Sequence, residues 1–171
     1  MGLEQPSYGQ SLELFEKGYY TEAAESLHEL LSHNQGNINA MILLARTYAN
    51  KGNLAKAAKW CENAIHADKL NPSFHYLLST IMAEQGRMEA AVAALKKVLY
   101  LDYNFVLAYF SLGNINRQLG KLTESKKNFD NATSLLGKLQ TNEILPESGG
   151  ITAGRLKDII KSLSSQGAVD D

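Results

Sequence analysis

The chain has 171 residues, a net charge of −1, 44% apolar residues, three prolines and a single cysteine. That apolar content suffices for a buried core and argues against a wholly disordered chain. With a pI near 6.4 there is no overall basic field, so phosphate-driven binding to nucleic acid is not expected. Cys61 alone excludes an internal disulfide and suits a reducing, cytoplasmic setting.

In chain order, Met1-Gly2-Leu3-Glu4-Gln5-Pro6 lacks the basic and apolar runs of a secretory signal. Pro6 also occupies the position where myristoylation favours Ser or Thr. The longest apolar stretch, Met41-Ile42-Leu43-Leu44-Ala45, falls far short of the roughly 20 residues of a membrane span.

A repeat governs the next 130 or so residues. Gly18, Gly52, Gly86 and Gly120 are each 34 residues apart. Five residues after each stands a small residue: Ala23, Ala57, Ala91 and Ser125. Seven before each stands another: Ser11, Ala45, Ser79 and Gly113. Small residues at fixed offsets about a glycine predict two helices whose backbones approach closely on either side of a tight turn. Larger apolar residues keep the same phase, as in Leu44, Leu78 and Leu112, or Leu27, Cys61, Leu95 and Phe129. The fold predicted is all-α, a repeated helix-turn-helix. Asn37, Asn71 and Asn104 are candidate N-caps, Thr21 is another helix start, and Pro72 follows Asn71 as a first helical residue.

The period, with Ala45-Arg46-Thr47-Tyr48-Ala49-Asn50-Lys51-Gly52 and Leu112-Gly113-Asn114, resembles the tetratricopeptide repeat. On that frame the repeats fall at about 4–37, 38–71, 72–105 and 106–139. Lys69 and Tyr103 replace the proline common near the end of such repeats. The resemblance implies a solenoid whose first helices line a concave wall that takes a peptide or protein partner. Projected there are Ile42, Arg46, Ala49 and Asn50, then Tyr76, Thr80, Ala83 and Glu84, then Phe110, Asn114, Arg117 and Gln118. Tyr76 and Phe110 offer aromatic area, and Arg46 and Arg117 can fork onto a carboxylate. The same aromatics also suit packing between helices. Co-chaperones of this family clamp a carboxylate with lysines and asparagines. Asn114 fits one such position, but Ile42, Tyr76 and Phe110 stand where lysines are expected, which argues against a chaperone-tail receptor.

Charge is uneven along the array. Glu4, Glu13, Glu16, Glu22, Glu25 and Glu29 face one lysine, Lys17, in the first repeat. Arg117, Lys121, Lys126, Lys127 and Lys138 outweigh Glu124 and Asp130 in the last. A solvated face and a steering or head-to-tail role both account for this.

Residues 140–151 read as a turn-rich linker, 152–164 as a helix capped by Thr152 with Leu156, Ile159, Ile160 and Leu163 on one stripe, and 165–171 as a flexible tail. The helix suits a cap on the last repeat or an added docking element. The segment Gly150-Ile151-Thr152-Ala153-Gly154-Arg155-Leu156 also resembles the one that closes CheR-type chemoreceptor methyltransferases carrying C-terminal repeats of this kind. That resemblance implies the regulatory or scaffolding end of a larger, S-adenosylmethionine-dependent enzyme, with no catalytic domain and no cofactor site in this chain. It further implies that Met1-Gly2 is not a natural start and that Tyr8 to Glu16 is a shortened first helix. Partners would be a chemoreceptor, a response regulator or the chain's own methyltransferase domain. The alternative is a stand-alone adaptor in secretion, pilus assembly or another signalling complex.

No catalytic residues are assigned. Cys61 holds a core position in the repeat, and His28 and His33, like Cys61 and His66, are five apart, a poor fit to one helical face. No metal is expected, and packing is the role expected of His75.

Overall fold

The computed structural model describes residues 7–166, and within them nine helices run in order. They are α1 (Tyr8–Glu16), α2 (Tyr20–His33), α3 (Ile38–Asn50), α4 (Leu54–Ala67), α5 (Pro72–Glu84), α6 (Met88–Leu101), α7 (Val106–Gln118), α8 (Leu122–Leu136) and α9 (Ala153–Gln166). The chain divides into two compact units, one ending at Ala91 and one beginning at Val92.

The glycines in phase act as helix stops. Gly18, Gly52, Gly86 and Gly120 all have φ between +72° and +80°, the left-handed conformation that glycine adopts without a Cβ penalty. Each follows the C-cap of the first helix in its repeat. In the second repeat Gly52 N–H donates to Ala49 O at 2.8 Å and Asn53 N–H to Tyr48 O at 2.9 Å. The same pair of bonds recurs at Gly18, Gly86 and Gly120. Four identical stops therefore reverse the chain at one interval, and the second helix starts at once.

The small residues lie where the helices of a pair meet. Ser11, Ala45, Ser79 and Gly113 are buried, and so are Ala23, Ala57, Ala91 and Ser125. Ser125 donates to Gly113 O at 2.8 Å, satisfying its hydroxyl inside the α7–α8 contact. Around these crossings the N-terminal unit buries Leu27, Leu31, Leu43, Leu44, Tyr48, Cys61, Leu78 and Ile81 as one cluster. In the C-terminal unit Leu107, Leu112, Phe129 and Leu136 are buried.

Links between repeats follow a second periodicity. Asn34, Asp68 and Asp102 are 34 apart, and the side-chain Oδ1 of each accepts the N–H two residues on, from Gly36, Leu70 and Asn104. This Asx turn bends the chain where Lys69 and Tyr103 replace the family's proline. His75 reinforces one link, its Nε2 lying 3.1 Å from Lys69 O.

Asn37 and Asn71 cap α3 and α5, and Pro72 opens α5. Two expected starts differ. Asn104 stands one residue before the N-cap position, which Phe105 holds in phase with Asn37 and Asn71, so α7 begins with no side-chain cap. Thr21 lies inside α2, which starts at Tyr20, and its hydroxyl accepts from Lys51 Nζ at 3.0 Å.

Residues 140–152, which include the turn-rich linker expected over 140–151, form an ordered strap. Ile144 pairs with Thr152 in an antiparallel bridge, Leu145 N–H donates to Ile151 O at 3.0 Å, and the Leu145 side chain is buried. Thr152 caps α9, accepting from Arg155 N–H at 3.3 Å. α9 packs against α8 and extends to Gln166, two residues beyond the end expected from its stripe. Met1 to Pro6 and the last five residues of the expected flexible tail lie outside the described residues.

Candidate functional site

The projected partner-binding residues stand on three helices. α3 carries Ile42, Arg46 and Asn50 at i, i+4 and i+8, and α5 carries Tyr76 and Thr80 at i and i+4, all in the N-terminal unit. α7 carries Phe110, Asn114 and Arg117 at i, i+4 and i+7 in the C-terminal unit. Helical spacing puts each set on one side of its helix.

Their surroundings differ. Ile42 is half-buried and packs on the core. Arg46 is also half-buried. Asn50 is exposed, and its Nδ2 donates to Arg46 O at 3.1 Å. Thr80 is exposed and donates to Tyr76 O at 3.2 Å. Phe110 is half-buried with its ring 6.1 Å from that of Phe129, so part of its area belongs to packing. Asn114 and Arg117 are half-buried on the same side of α7. The Arg117 guanidinium makes no hydrogen bond or ion pair among the described residues. A planar, always-charged fork held there can take a carboxylate.

The tail motif has a structural role at nearly every position. Gly150 turns at φ +101°, Thr152 caps α9, and Ala153 and Leu156 are buried. Gly154 N–H donates to Thr141 O at 2.9 Å, and a β-carbon on Gly154 would strike the Thr141 side chain. Arg155 is the exception, exposed on the outer face of α9.

A cluster that the sequence reading does not single out lies in the N-terminal unit. His28 on α2 places Nε2 2.8 Å from Tyr48 Oη on α3 and meets Trp60 on α4 edge-on, with ring centroids 5.5 Å apart. Lys56 Nζ lies over the Tyr48 ring, 5.1 Å from its centroid. Partial burial, and secondarily Lys56, pulls the His28 pKa below its usual value, favouring the neutral ring. Beside this cluster is an open cleft of about 360 Å³ lined by His28, Leu31, Ser32, Gln35, Met41, Trp60 and Asn63. A signal for it was present: Trp60 stands where the other repeats hold Ser26, Ala94 and Asn128.

Cys61 is fully buried and donates to Phe74 O at 3.2 Å. Among the described residues no three His, Cys, Asp or Glu side chains are grouped to hold a metal ion, and no helix is long and apolar enough to cross a membrane. Glu13, Glu16, Glu22, Glu25 and Glu29 are exposed, as are Lys121, Lys126, Lys127 and Lys138. Lys17 Nζ pairs with Glu13 Oε1 at 2.6 Å.

Two tetratricopeptide-repeat family models match, one over residues 14–81 and another over 72–105 and 106–135. No curated protein matches the sequence. Among solved structures the chain is similar to MamA. One MamA crystal structure aligns with a TM-score of 0.69 at 17% identity, over 91% of this chain and 85% of that one. MamA from Desulfovibrio magneticus aligns with a TM-score of 0.71 at 18% identity, over 75% of this chain and 72% of that one. At such identities the likeness is one of fold.

Proposed function

Because this chain belongs to the tetratricopeptide-repeat family, we propose that it is a stand-alone adaptor that binds a protein or peptide partner on the first helices of its repeats. Secretion, pilus assembly and signalling complexes are the settings that use such an adaptor. The observation that carries the reading is the α7 strip, where Phe110, Asn114 and the guanidinium of Arg117, without a partner among the described residues, share one side of a helix. An aromatic contact, an amide and a cation in a line suit an extended segment with an acidic or C-terminal carboxylate. Arg46 and Asn50 on α3, with Tyr76 and Thr80 on α5, offer a similar mixture in the N-terminal unit. The alignment with a MamA chain over most of both lengths supports the repeat-array fold on which this reading rests. The lone, buried Cys61 supports a cytoplasmic location.

The test is capture of partners from the native lysate by the full chain and by an Arg117→Ala, Asn114→Ala variant. Loss of capture with an unchanged melting temperature supports the strip. Unchanged capture removes it.

A second reading rests on the tail. The Gly150 to Leu156 segment supports a place at the C-terminal end of a CheR-type methyltransferase, where the array would scaffold a receptor, a response regulator or the catalytic domain that binds S-adenosylmethionine. None of the matches given above is a methyltransferase, and the same residues are accounted for by the strap and the α9 cap. The mass of the endogenous protein separates the two readings: near 18.8 kDa for the adaptor, much larger with methyl-transfer activity for the enzyme.

A further inference from the structure

Trp60 breaks the repeat. The residue eight after each phase glycine is Ser26, Ala94 or Asn128 in the other repeats, and only the second repeat places a large aromatic there. A tryptophan used purely for packing would be covered, yet Trp60 is half-buried and forms one wall of the α2–α4 cleft. His28 stands beside it in the same wall. Its ring is fixed, hydrogen-bonded at Nε2 to Tyr48 Oη and edge-on to Trp60. Tyr48 is itself buried, so the wall is held before any ligand arrives.

The chemistry of the lining selects a ligand class. Leu31 and Met41 supply an apolar floor, and the methionine can adapt to the shape placed on it. Among the described residues no aspartate, glutamate, lysine or arginine lines the cleft. Lys56 is drawn over the Tyr48 ring. A charged side chain would therefore lose its hydration here with no opposite charge to meet it. At the rim stand the exposed Gln35 and Asn63, whose amides each offer a donor and an acceptor, the pairing needed by an extended backbone. A volume of about 360 Å³ has room for one large side chain, not for a helix.

We propose that the cleft between α2 and α4 is a second binding site, which takes one large apolar side chain, aromatic by preference, from an extended uncharged stretch of a partner polypeptide. The site lies on α2 and α4, the second helices of their repeats, with Met41 of α3 on its floor, and shares no residue with the strips on α3, α5 and α7. It does not depend on the proposed function of those strips. An adaptor with both would hold two partners.

The test uses the full chain, ¹⁵N-labelled, titrated with acetyl-Gly-Ser-Phe-Ser-Gly-amide and with the same peptide carrying Ala or Glu in place of Phe. The Phe peptide is expected to shift the Trp60 indole N–H together with the amides of His28, Ser32, Gln35 and Asn63. The Ala and Glu peptides should bind at least about tenfold more weakly, since burial of an aromatic side chain contributes more than the 1.4 kcal/mol that a tenfold change represents. Trp60→Ala opens the core, so the decisive variant is Ser32→Arg, at an exposed position on the cleft wall. It should leave the thermal melt unchanged and weaken the Phe peptide at least about tenfold. Shifts of equal size from the Ala peptide, no shift at all, or undiminished binding by Ser32→Arg would each overturn the proposal. So would sedimentation of the free chain as a dimer that Ser32→Arg splits, which would make a second copy the occupant.

Discussion

Gly113 on α7 lies against the ring of Phe129 on α8, so closely that a β-carbon on Gly113 would stand 2.5 Å from Phe129 Cε1. Phe129 is buried and cannot swing into solvent without leaving a cavity. Gly113→Ala should therefore destabilise the C-terminal unit by about 1–3 kcal/mol, the range for overpacking. Phe129→Leu in the Gly113→Ala background should recover part of the loss, which a double-mutant cycle in urea will read as a coupling energy. Gly120→Ala is the contrast. No heavy atom lies within 4 Å of its β-carbon, so its cost of about 1–2 kcal/mol comes from φ +72° alone and no change at Phe129 should relieve it.

Cys61 should be inert in the folded chain. Burial, and secondarily Glu62, pushes its thiol pKa up to about 12, so almost no thiolate exists at pH 8. Its Sγ also faces Phe74 O inside the core. A disulfide reagent such as DTNB should label none of the native protein over minutes, and one equivalent once guanidinium has unfolded it. Rapid labelling of the native chain would mean that the α4–α5 contact opens far more often than its burial implies.

The periodic part of this fold was legible because it is driven by sterics repeated four times. A glycine needed for a left-handed stop, and a small residue needed at a crossing, leave a mark at each repeat, and the structure has both where the phase puts them. The Asx turns at Asn34, Asp68 and Asp102 leave an equally regular mark, but Asn and Asp are also common on exposed helix ends, so the spacing alone does not identify a turn. Helix starts were less legible: Asn104 has the chemistry of an N-cap, but it stands one residue ahead of the phase set by Asn37 and Asn71, where Phe105 sits, and the helix begins at Val106. Residues 140–152 look like a linker because they are rich in turn formers, while the bridge from Ile144 to Thr152 and the burial of Leu145 follow no helical or strand periodicity that a sequence displays. The Trp60 cleft was hidden for the opposite reason. Periodicity directs attention to what repeats, and a binding feature of a single repeat is what does not.

The His28 cluster gives a pH dependence of definite sign. The folded state lowers the His28 pKa, so between that lowered value and the usual 6.5 the unfolded chain binds more protons than the folded one. Stability from this group is thus present above about pH 6.5 and declines as pH falls through the folded value. Solvent reaches the ring, so the effect is small. It should appear as a fall in the wild-type melting temperature from pH 7.5 to 5 that exceeds the fall in His28→Gln. The emission of Trp60, the only tryptophan, should change over the same range in the wild type and not in the variant. Parallel melting curves would mean that His28 titrates alike in both states.

The tail separates a structural role from a docking role. Ala153, Leu156 and Ile160 are buried, whereas Ile159 and Leu163, from the same apolar stripe, are half-buried and line a shallow recess with Arg155, Asp158 and Ser162. α9 therefore has an inner edge that packs and an outer edge that does not. Leu156→Ala removes a fully buried side chain and should cost about 2–5 kcal/mol, while Ile159→Ala should cost markedly less. Urea denaturation of both variants, followed by far-ultraviolet circular dichroism, checks the ratio. A detachable docking helix would give the reverse pattern: Leu156→Ala would leave the transition midpoint in place and change partner capture instead.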